Sequence, residues 1–185
     1  MKKILFITIF SFIISSEIKN KSINTIKNYY SQEIQITNHK FSIPKKIKKN
    51  IQNHIKQKFY RDKVYYWVIN INGIQHYAIL DNTIGKTMPI TFLVIFNENQ
   101  EVVHSEIIKY REGYGGEISG QKWLSQFVGM QNDSLFKFGK EIDGITGATI
   151  SVRSFTKGIN KLSLLLPYII NHFNKNDTIE TKKSR

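Results

Sequence analysis

Residues Val64 to Leu80 read VYYWVINI-NG-IQHYAIL, and this stretch decides the fold. A run rich in aromatic and β-branched side chains comes first, as is typical of a strand. It ends at Asn72-Gly73, a dipeptide that strongly favours a type I′ hairpin turn, and the residues after the turn alternate between two faces. The stretch therefore predicts an antiparallel β-hairpin.

A second hairpin follows the first along the chain. Pro89 to Phe96 predicts one strand, residues 97–100 form its turn, and Glu101 to Tyr110 predicts the returning strand. Glycines at 113–116 then end the extended segment.

The second half of the chain has the apolar spacing of helices. Gln121 to Val128 predicts a short helix, and a last helix begins near Ile150, with a kink or break at Pro167. Because a run of strands precedes a run of helices, we expect an α+β fold, with a mostly antiparallel sheet of hairpins flanked by helices.

Ile43 to Phe59 predicts a helix of a different kind, with a narrow apolar stripe. Isoleucines recur every four residues, and Pro44 suits the first helical turn. Lysines occupy most of the remaining surface: Lys45, Lys46, Lys48, Lys49, Lys56 and Lys58. One interpretation is a surface helix packed by its stripe. The others are contact with anionic lipid headgroups or with an acidic redox partner.

Asp143 to Thr149 read DGITGAT, at the mouth of the last helix. Gly144 and Gly147 allow close approach of the backbone and positive φ angles. Thr149 is expected at or next to the helix N-cap, where free N–H groups and the helix dipole favour an anion. The pattern fits the docking of a phosphorylated cofactor. It also fits a turn and a helix cap that bind nothing.

The same residues resemble the flavinylation motif of the FMN-binding domain family, which has an Asp, two variable residues, Ser or Thr, a small residue, Ala and Thr. That family includes the covalently flavinylated subunits of the sodium-translocating NADH:quinone reductase and of the Rnf complexes. The resemblance implies that FMN is joined to Thr149 through a phosphoester bond, installed from FAD by a Mg-dependent flavin transferase. It further implies cofactor contacts along the whole motif, from Asp143, Gly144, Thr146, Gly147 and Ala148.

A second stretch, Glu106 to Ile118, resembles the strand and glycine-rich turn that precede the motif in small stand-alone members of the family. It implies that Tyr114, Gly115 and Gly116 also contact the cofactor. The resemblance covers about Ile74 to Ile170. Aromatic candidates to pack against the flavin ring are Tyr110, Tyr114 and Trp123, and candidates to pair with a phosphate are Arg111 and Lys86.

The N-terminus predicts export. Lys2 and Lys3 precede an apolar run from Ile4 to Ile14, which is short for a membrane span, so residues 1–16 are predicted to be a signal peptide or an uncleaved anchor. Residues 17–40 are polar and predict a linker, 41–173 a single domain and 174–185 a polar, disordered tail. The expected location is the periplasm or the outer face of the cytoplasmic membrane.

Composition restricts the chemistry. The chain has no cysteine, which excludes disulfides, thiol catalysis and thiolate metal sites, so any redox chemistry has to come from a bound cofactor. The net charge is +13, and residues 40–63 hold nine basic residues and one acidic residue. The five histidines lack metal-ligand spacing, and no hydrolase, nucleotide-binding or nucleic-acid-binding motif is present.

Three hypotheses remain at this point. The first is an exported electron carrier with FMN on Thr149, which exchanges electrons with membrane or periplasmic redox proteins and is not an enzyme by itself. The second is a basic interaction module without a cofactor, which binds anionic lipid or an acidic partner through the Lys45–Lys58 helix. The third keeps the fold and binds FMN without a covalent bond.

Overall fold

The computed structural model describes the backbone of residues 2–183 and the side chains of residues 16–176. Helix α1 (Lys2–Tyr30) comes first and is followed by strand β1 (Gln35–Ser42) and helix α2 (Lys45–Ile55). Four more strands follow: β2 (Lys63–Ile71), β3 (Ile74–Ile84), β4 (Pro89–Phe96) and β5 (Val102–Lys109). A short helix α3 (Gln121–Leu124) lies between two 3₁₀ turns (Gly116–Ser119 and Ser125–Phe127), and the long helix α4 spans Thr149–Lys183.

The five strands form one antiparallel sheet in the order β1-β2-β3-β4-β5. The hairpin predicted around Asn72-Gly73 is confirmed. Both turn residues have positive φ, 53° for Asn72 and 90° for Gly73, as a type I′ turn requires. The second hairpin and the α+β class are confirmed as well.

Side chains alternate between the two faces of the sheet along each strand. Both faces are buried, each in its own hydrophobic core. In β2, Tyr66 and Val68 point into the larger core, which helices α2 and α4 cover. Trp67 and Ile69 point the other way, into a smaller core to which Ile26 of α1 contributes. The sheet is therefore the middle layer of the molecule, and α4 lies against its larger core.

The predicted linker at 17–40 is wrong. Its first part is the second half of α1, which packs on the sheet, and its last part is most of β1, so the predicted domain start at residue 41 falls inside a strand. Ile26 is fully buried there. The side chains of most of the predicted signal segment lie outside the described residues. Across the residues whose side chains are described, no helix has an apolar stretch long enough to cross a lipid bilayer.

Helix α4 is not broken at Pro167 and does not give way to a disordered tail. The helix continues through Pro167, and its backbone remains helical through the predicted disordered tail as far as Lys183. The residues around Pro167, Leu166 and Ile169, are buried, so packing holds the helix where the proline removes one backbone hydrogen bond. Helix α2 is shorter than predicted and ends at Ile55, after which Lys56 adopts a left-handed conformation.

Candidate functional site at the start of helix α4

Thr149 is the first residue of α4. The N–H of Val152 donates to the carbonyl oxygen of Ala148 at 2.9 Å, which makes Ala148 the N-cap. Because alanine has no side-chain acceptor, it cannot cap the first-turn amides, and no acidic residue lies in that turn. Thr149 itself is exposed. The helix therefore presents an accessible hydroxyl beside amide donors that suit an anion.

The loop before the helix lies open to solvent. Gly147 has a φ of +80°, and among the described residues other than its chain neighbours none has an atom within 4 Å of the position that a Cβ would occupy there. Thr146 and Gly144 are also exposed, and a Cβ built on Gly144 would lie 3.4 Å from the Phe138 ring. Backbone and hydroxyl groups of this loop are consequently accessible to a ligand at Thr149.

The glycine-rich turn after β5 packs directly against the motif. Gly115 has a φ of +75°, and a Cβ built on it would come within 2.5 Å of the Ala148 Cβ. The Tyr110 hydroxyl donates to the carbonyl oxygen of Tyr114 at 2.6 Å, which secures the turn from below. The structure thus brings Gly115 against Ala148, the residue that precedes Thr149. The Tyr114 side chain is 87% exposed and packs against neither segment.

Hydrogen bonds of its main chain hold Asp143 in place. Its carbonyl oxygen accepts from Trp123 Nε1 at 3.0 Å, and its N–H donates to Gln126 Oε1 at 2.8 Å. The Trp123 ring is buried against Phe127 and Phe155, so it anchors the loop and is not available to a flavin ring. Within the described part of the chain, the exposed Asp143 carboxylate makes no hydrogen bond and is accessible to solvent or a ligand.

The turn between β3 and β4 is a third segment at the start of α4, and the sequence did not predict its role. A Cβ on Gly85 would lie 2.8 Å from Ser151 Oγ, so the turn sits against the first turn of the helix. Glu112 holds this turn by accepting from the N–H groups of Thr87 (2.8 Å) and Met88 (3.0 Å) and from the Thr87 hydroxyl. These hydrogen bonds, the one from Met88 first, lower the pKa of the Glu112 carboxyl.

The two cationic candidates differ in their surroundings. Arg111 donates to the Pro89 carbonyl oxygen at 2.9 Å and to Thr91 Oγ1 at 3.1 Å, so it is engaged with the end of β4. Lys86 is exposed in the turn that Gly85 holds against α4. In the part of the chain that the structure describes, no group of three or more His, Asp or Glu side chains is placed to hold a metal ion. The arrangement as a whole suits a phosphorylated ligand.

The family model and a curated relative agree with this description. The family model described as the FMN-binding domain matches residues 85–163, a range that contains the glycine-rich turn and the motif. The chain is 30% identical over 125 residues to one of the subunits of the ion-translocating oxidoreductase complex of Buchnera aphidicola subsp. Acyrthosiphon pisum (strain APS), covering 59% of this chain and 76% of that protein. The crystal structure of one of the subunits of the Na(+)-translocating NADH-quinone reductase from Parabacteroides distasonis ATCC 8503 superposes with a TM-score of 0.46 and 15% identity, over 80% of this chain and 93% of that one.

Proposed function

The chain belongs to the FMN-binding domain family, and on that premise we propose that it is an exported electron carrier whose FMN is phosphoester-linked to Thr149. The family supports FMN as the cofactor and a flavoprotein role in electron transport. The observation that carries the covalent proposal is the exposed hydroxyl of Thr149 in the first turn of α4, beside the Gly115 turn.

The residues at the start of α4 fit the phosphate of FMN. Thr149 would supply the oxygen of the ester, the first-turn amides would be available to the phosphate, and Gly147 and Gly116 leave the backbone accessible. Thr146 can donate a hydrogen bond to the phosphate. Bound FMN supplies the redox chemistry, while the protein holds it and keeps it within reach of its partners.

Partners and location follow from the same proposal. The related Buchnera protein is named as a subunit of an ion-translocating oxidoreductase complex. We infer redox proteins of a membrane complex or of the periplasm as partners, and a Mg-dependent flavin transferase as the enzyme that loads Thr149 from FAD. The predicted signal segment at residues 1–16 supports export. A covalent bond suits that location, because it retains the flavin outside the cytoplasm, where a lost flavin is not readily replaced.

The test is the intact mass of the protein from cells that co-express a flavin transferase, followed by peptide mapping of residues 143–153. We expect an increase of about 438 Da on Thr149, the mass of FMN less water. Thr149→Ala should abolish the increase. Thr149→Ser keeps the hydroxyl and should still be modified, and Thr146→Ala should be modified because it leaves the ester oxygen in place.

An unmodified mass, with the transferase active on a control substrate, would overturn the covalent proposal. The colour of the folded protein then separates the remaining hypotheses. A yellow protein that releases FMN on denaturation binds the flavin non-covalently. A colourless protein with salt-sensitive binding to anionic vesicles is the basic interaction module.

A further inference from the structure

A basic groove of about 850 Å³ lies between the end of α2 and the first turns of α4. The end of α2 and the segment after it form one wall, at residues 52–60, and α4 forms the other, at residues 150–157. Ile150 directly follows Thr149, so the groove starts at the edge of the candidate site. Its cationic residues are Lys56, Lys58, Arg153 and Lys157.

The lining of the groove does not neutralise this positive charge. Among the described residues that line it, none is Asp or Glu. All four cationic residues are exposed, and within the described part of the chain none of them forms an ion pair with a carboxylate. Lys48 of α2, by contrast, lies 2.7 Å from an Asp62 carboxylate oxygen. The groove therefore has a local excess of positive charge that favours an anionic partner.

Two exposed apolar side chains lie among the cations. Tyr60 is 49% exposed and Ile150 is 53% exposed, and both line the groove. Tyrosine and arginine are enriched in protein–protein interfaces, where an apolar centre is surrounded by a polar rim. A small anion would make no use of the two apolar side chains. The combination fits a protein surface that presents both carboxylates and apolar groups.

Hydrogen bonds fix the two walls of the groove relative to each other. Gln57 Nε2 donates to the Ser154 carbonyl oxygen and to Thr83 Oγ1, each at 2.8 Å, which ties the segment after α2 to α4 and to β3. Gln52 Oε1 accepts from the N–H of Phe59 at 2.7 Å and holds the same segment against α2. Because the groove is already formed before a partner binds, less conformational entropy is lost on association.

We propose that this groove docks the acidic face of the protein that exchanges electrons with the flavin. The inference rests on the proposed function, and it adds the chemistry of the partner and the surface that the partner contacts. An electron carrier has to bring its cofactor close to that of its partner, and a protein bound in the groove would lie beside Thr149. Electron-transfer complexes bury little area and use complementary charge for rapid encounter. Four cations around a small apolar centre meet both requirements.

The experiment measures binding of the full chain to the soluble domain of cytochrome b5, a small acidic haem protein, by titration calorimetry. We expect the dissociation constant to rise about tenfold between about 50 and about 300 mM NaCl, because salt screens the attraction. Lys56→Gln and Lys157→Gln should each weaken binding severalfold at low salt. Lys45→Gln and Lys175→Gln remove the same charge from exposed positions of α2 and α4 outside the groove, and should leave binding nearly unchanged.

Tyr60→Ala separates docking in the groove from a diffuse attraction to the net charge of +13. It should weaken binding by a similar factor at both salt concentrations, because it removes apolar contact and no charge. Equal effects of all four lysine variants, unchanged binding in Tyr60→Ala, or no binding of cytochrome b5 would each overturn the inference. If the groove variants lost binding to anionic lipid vesicles and kept binding to cytochrome b5, the groove would belong to a membrane surface instead.

Failure of this inference is distinguishable from failure of the proposed function. Binding is measured both for protein that carries FMN on Thr149 and for Thr149→Ala protein without it. Both forms should bind, because the residues of the groove are the same in each apart from the cofactor beside it. A protein that cannot be loaded with FMN contradicts the proposed function, whereas a loaded protein that does not bind through the groove contradicts the inference.

Discussion

Among single residues, Gly115 is the one that brings the glycine-rich turn onto the flavin motif. Its φ of +75° is unfavourable for other residues, and an added Cβ would lie 2.5 Å from the Ala148 Cβ. We expect Gly115→Ala to lower the free energy of unfolding by about 1–3 kcal/mol and to reduce flavin loading. Urea unfolding and intact mass measure the two effects.

Two other glycines serve as matched controls for that substitution. Gly147 shares the positive φ, at +80°, but has open space at its Cβ position, so Gly147→Ala tests the backbone strain alone. Gly113 also has open space, without a positive φ, and Gly113→Ala should be nearly neutral. Equal losses of unfolding free energy for Gly115→Ala and Gly147→Ala would show that the contact with Ala148 does not contribute to stability.

Glu112 gives the start of α4 a dependence on pH. Its hydrogen bonds from Met88 and Thr87 lower the pKa of its carboxyl in the folded protein. A lowered pKa stabilises the fold above the ordinary range of a glutamate, and this stability is lost as the pH falls through the folded pKa. We therefore expect Glu112→Gln to lower the melting temperature near neutral pH, and the difference from the wild type to shrink in acid. A difference that is independent of pH would contradict this assignment.

Among the secondary-structure elements, the second half of α1 packs on the sheet and contributes to its core. Ile26 is fully buried, Lys21 Nζ donates to the Ile108 carbonyl oxygen at 2.7 Å, and the Tyr30 hydroxyl lies 2.7 Å from His76 Nδ1. We expect Ile26→Ala to cost about 2–5 kcal/mol, because it opens a cavity over the second face. Lys27→Ala, at the exposed neighbour, should cost little. If urea unfolding showed similar losses of stability for Ile26→Ala and Lys27→Ala, the result would argue against packing of α1 on the sheet.

The sequence predicted the elements whose signals are local and missed those that depend on distant packing. The first hairpin has Asn-Gly between its strands, the second has two strand-like runs separated by the short turn at residues 97–100, and both were found. The second half of α1 was missed because its apolar residues lie among Asn, Lys and Ser, and Ser22 interrupts them by donating to its own helix at the Ile18 carbonyl oxygen. Strand β1 was missed because it is an edge strand, with only Phe41 buried.

The site shows the same division between local and distant signals. The seven residues from Asp143 to Thr149 were recognisable because their chemistry is contiguous. The supports from Gln126, Glu112 and Gly85 come from segments far along the chain, and no local pattern marks them.

In the molecule as a whole, a buried ion pair joins α4, which carries the candidate site at its start, to the sheet. Lys161 and Asp81 are 0% and 3% exposed, and Lys161 Nζ lies 2.9 Å from Asp81 Oδ2. Since that oxygen makes no hydrogen bond, the contact is one of charge. Lys161 Nζ also donates to the Lys58 carbonyl oxygen at 3.1 Å and lies 4.6 Å from the centre of the Phe59 ring. One ammonium group thus links α4, β3 and the segment after α2.

Removing one partner of this pair should destabilise the whole fold. Lys161→Met leaves the Asp81 carboxylate buried without its counter-charge, and we expect a loss of about 3–5 kcal/mol in urea unfolding. The double variant Asp81→Leu with Lys161→Met should recover most of that loss, because no charge remains to be desolvated. Lys48 Nζ lies 2.7 Å from Asp62 Oδ1 in a surface ion pair, and the Asp62 side chain is 88% exposed. Lys48→Met should therefore hardly change the urea concentration at the unfolding midpoint. Equal losses of stability in Lys161→Met and Lys48→Met would show that burial does not determine how much the Lys161–Asp81 pair contributes to stability.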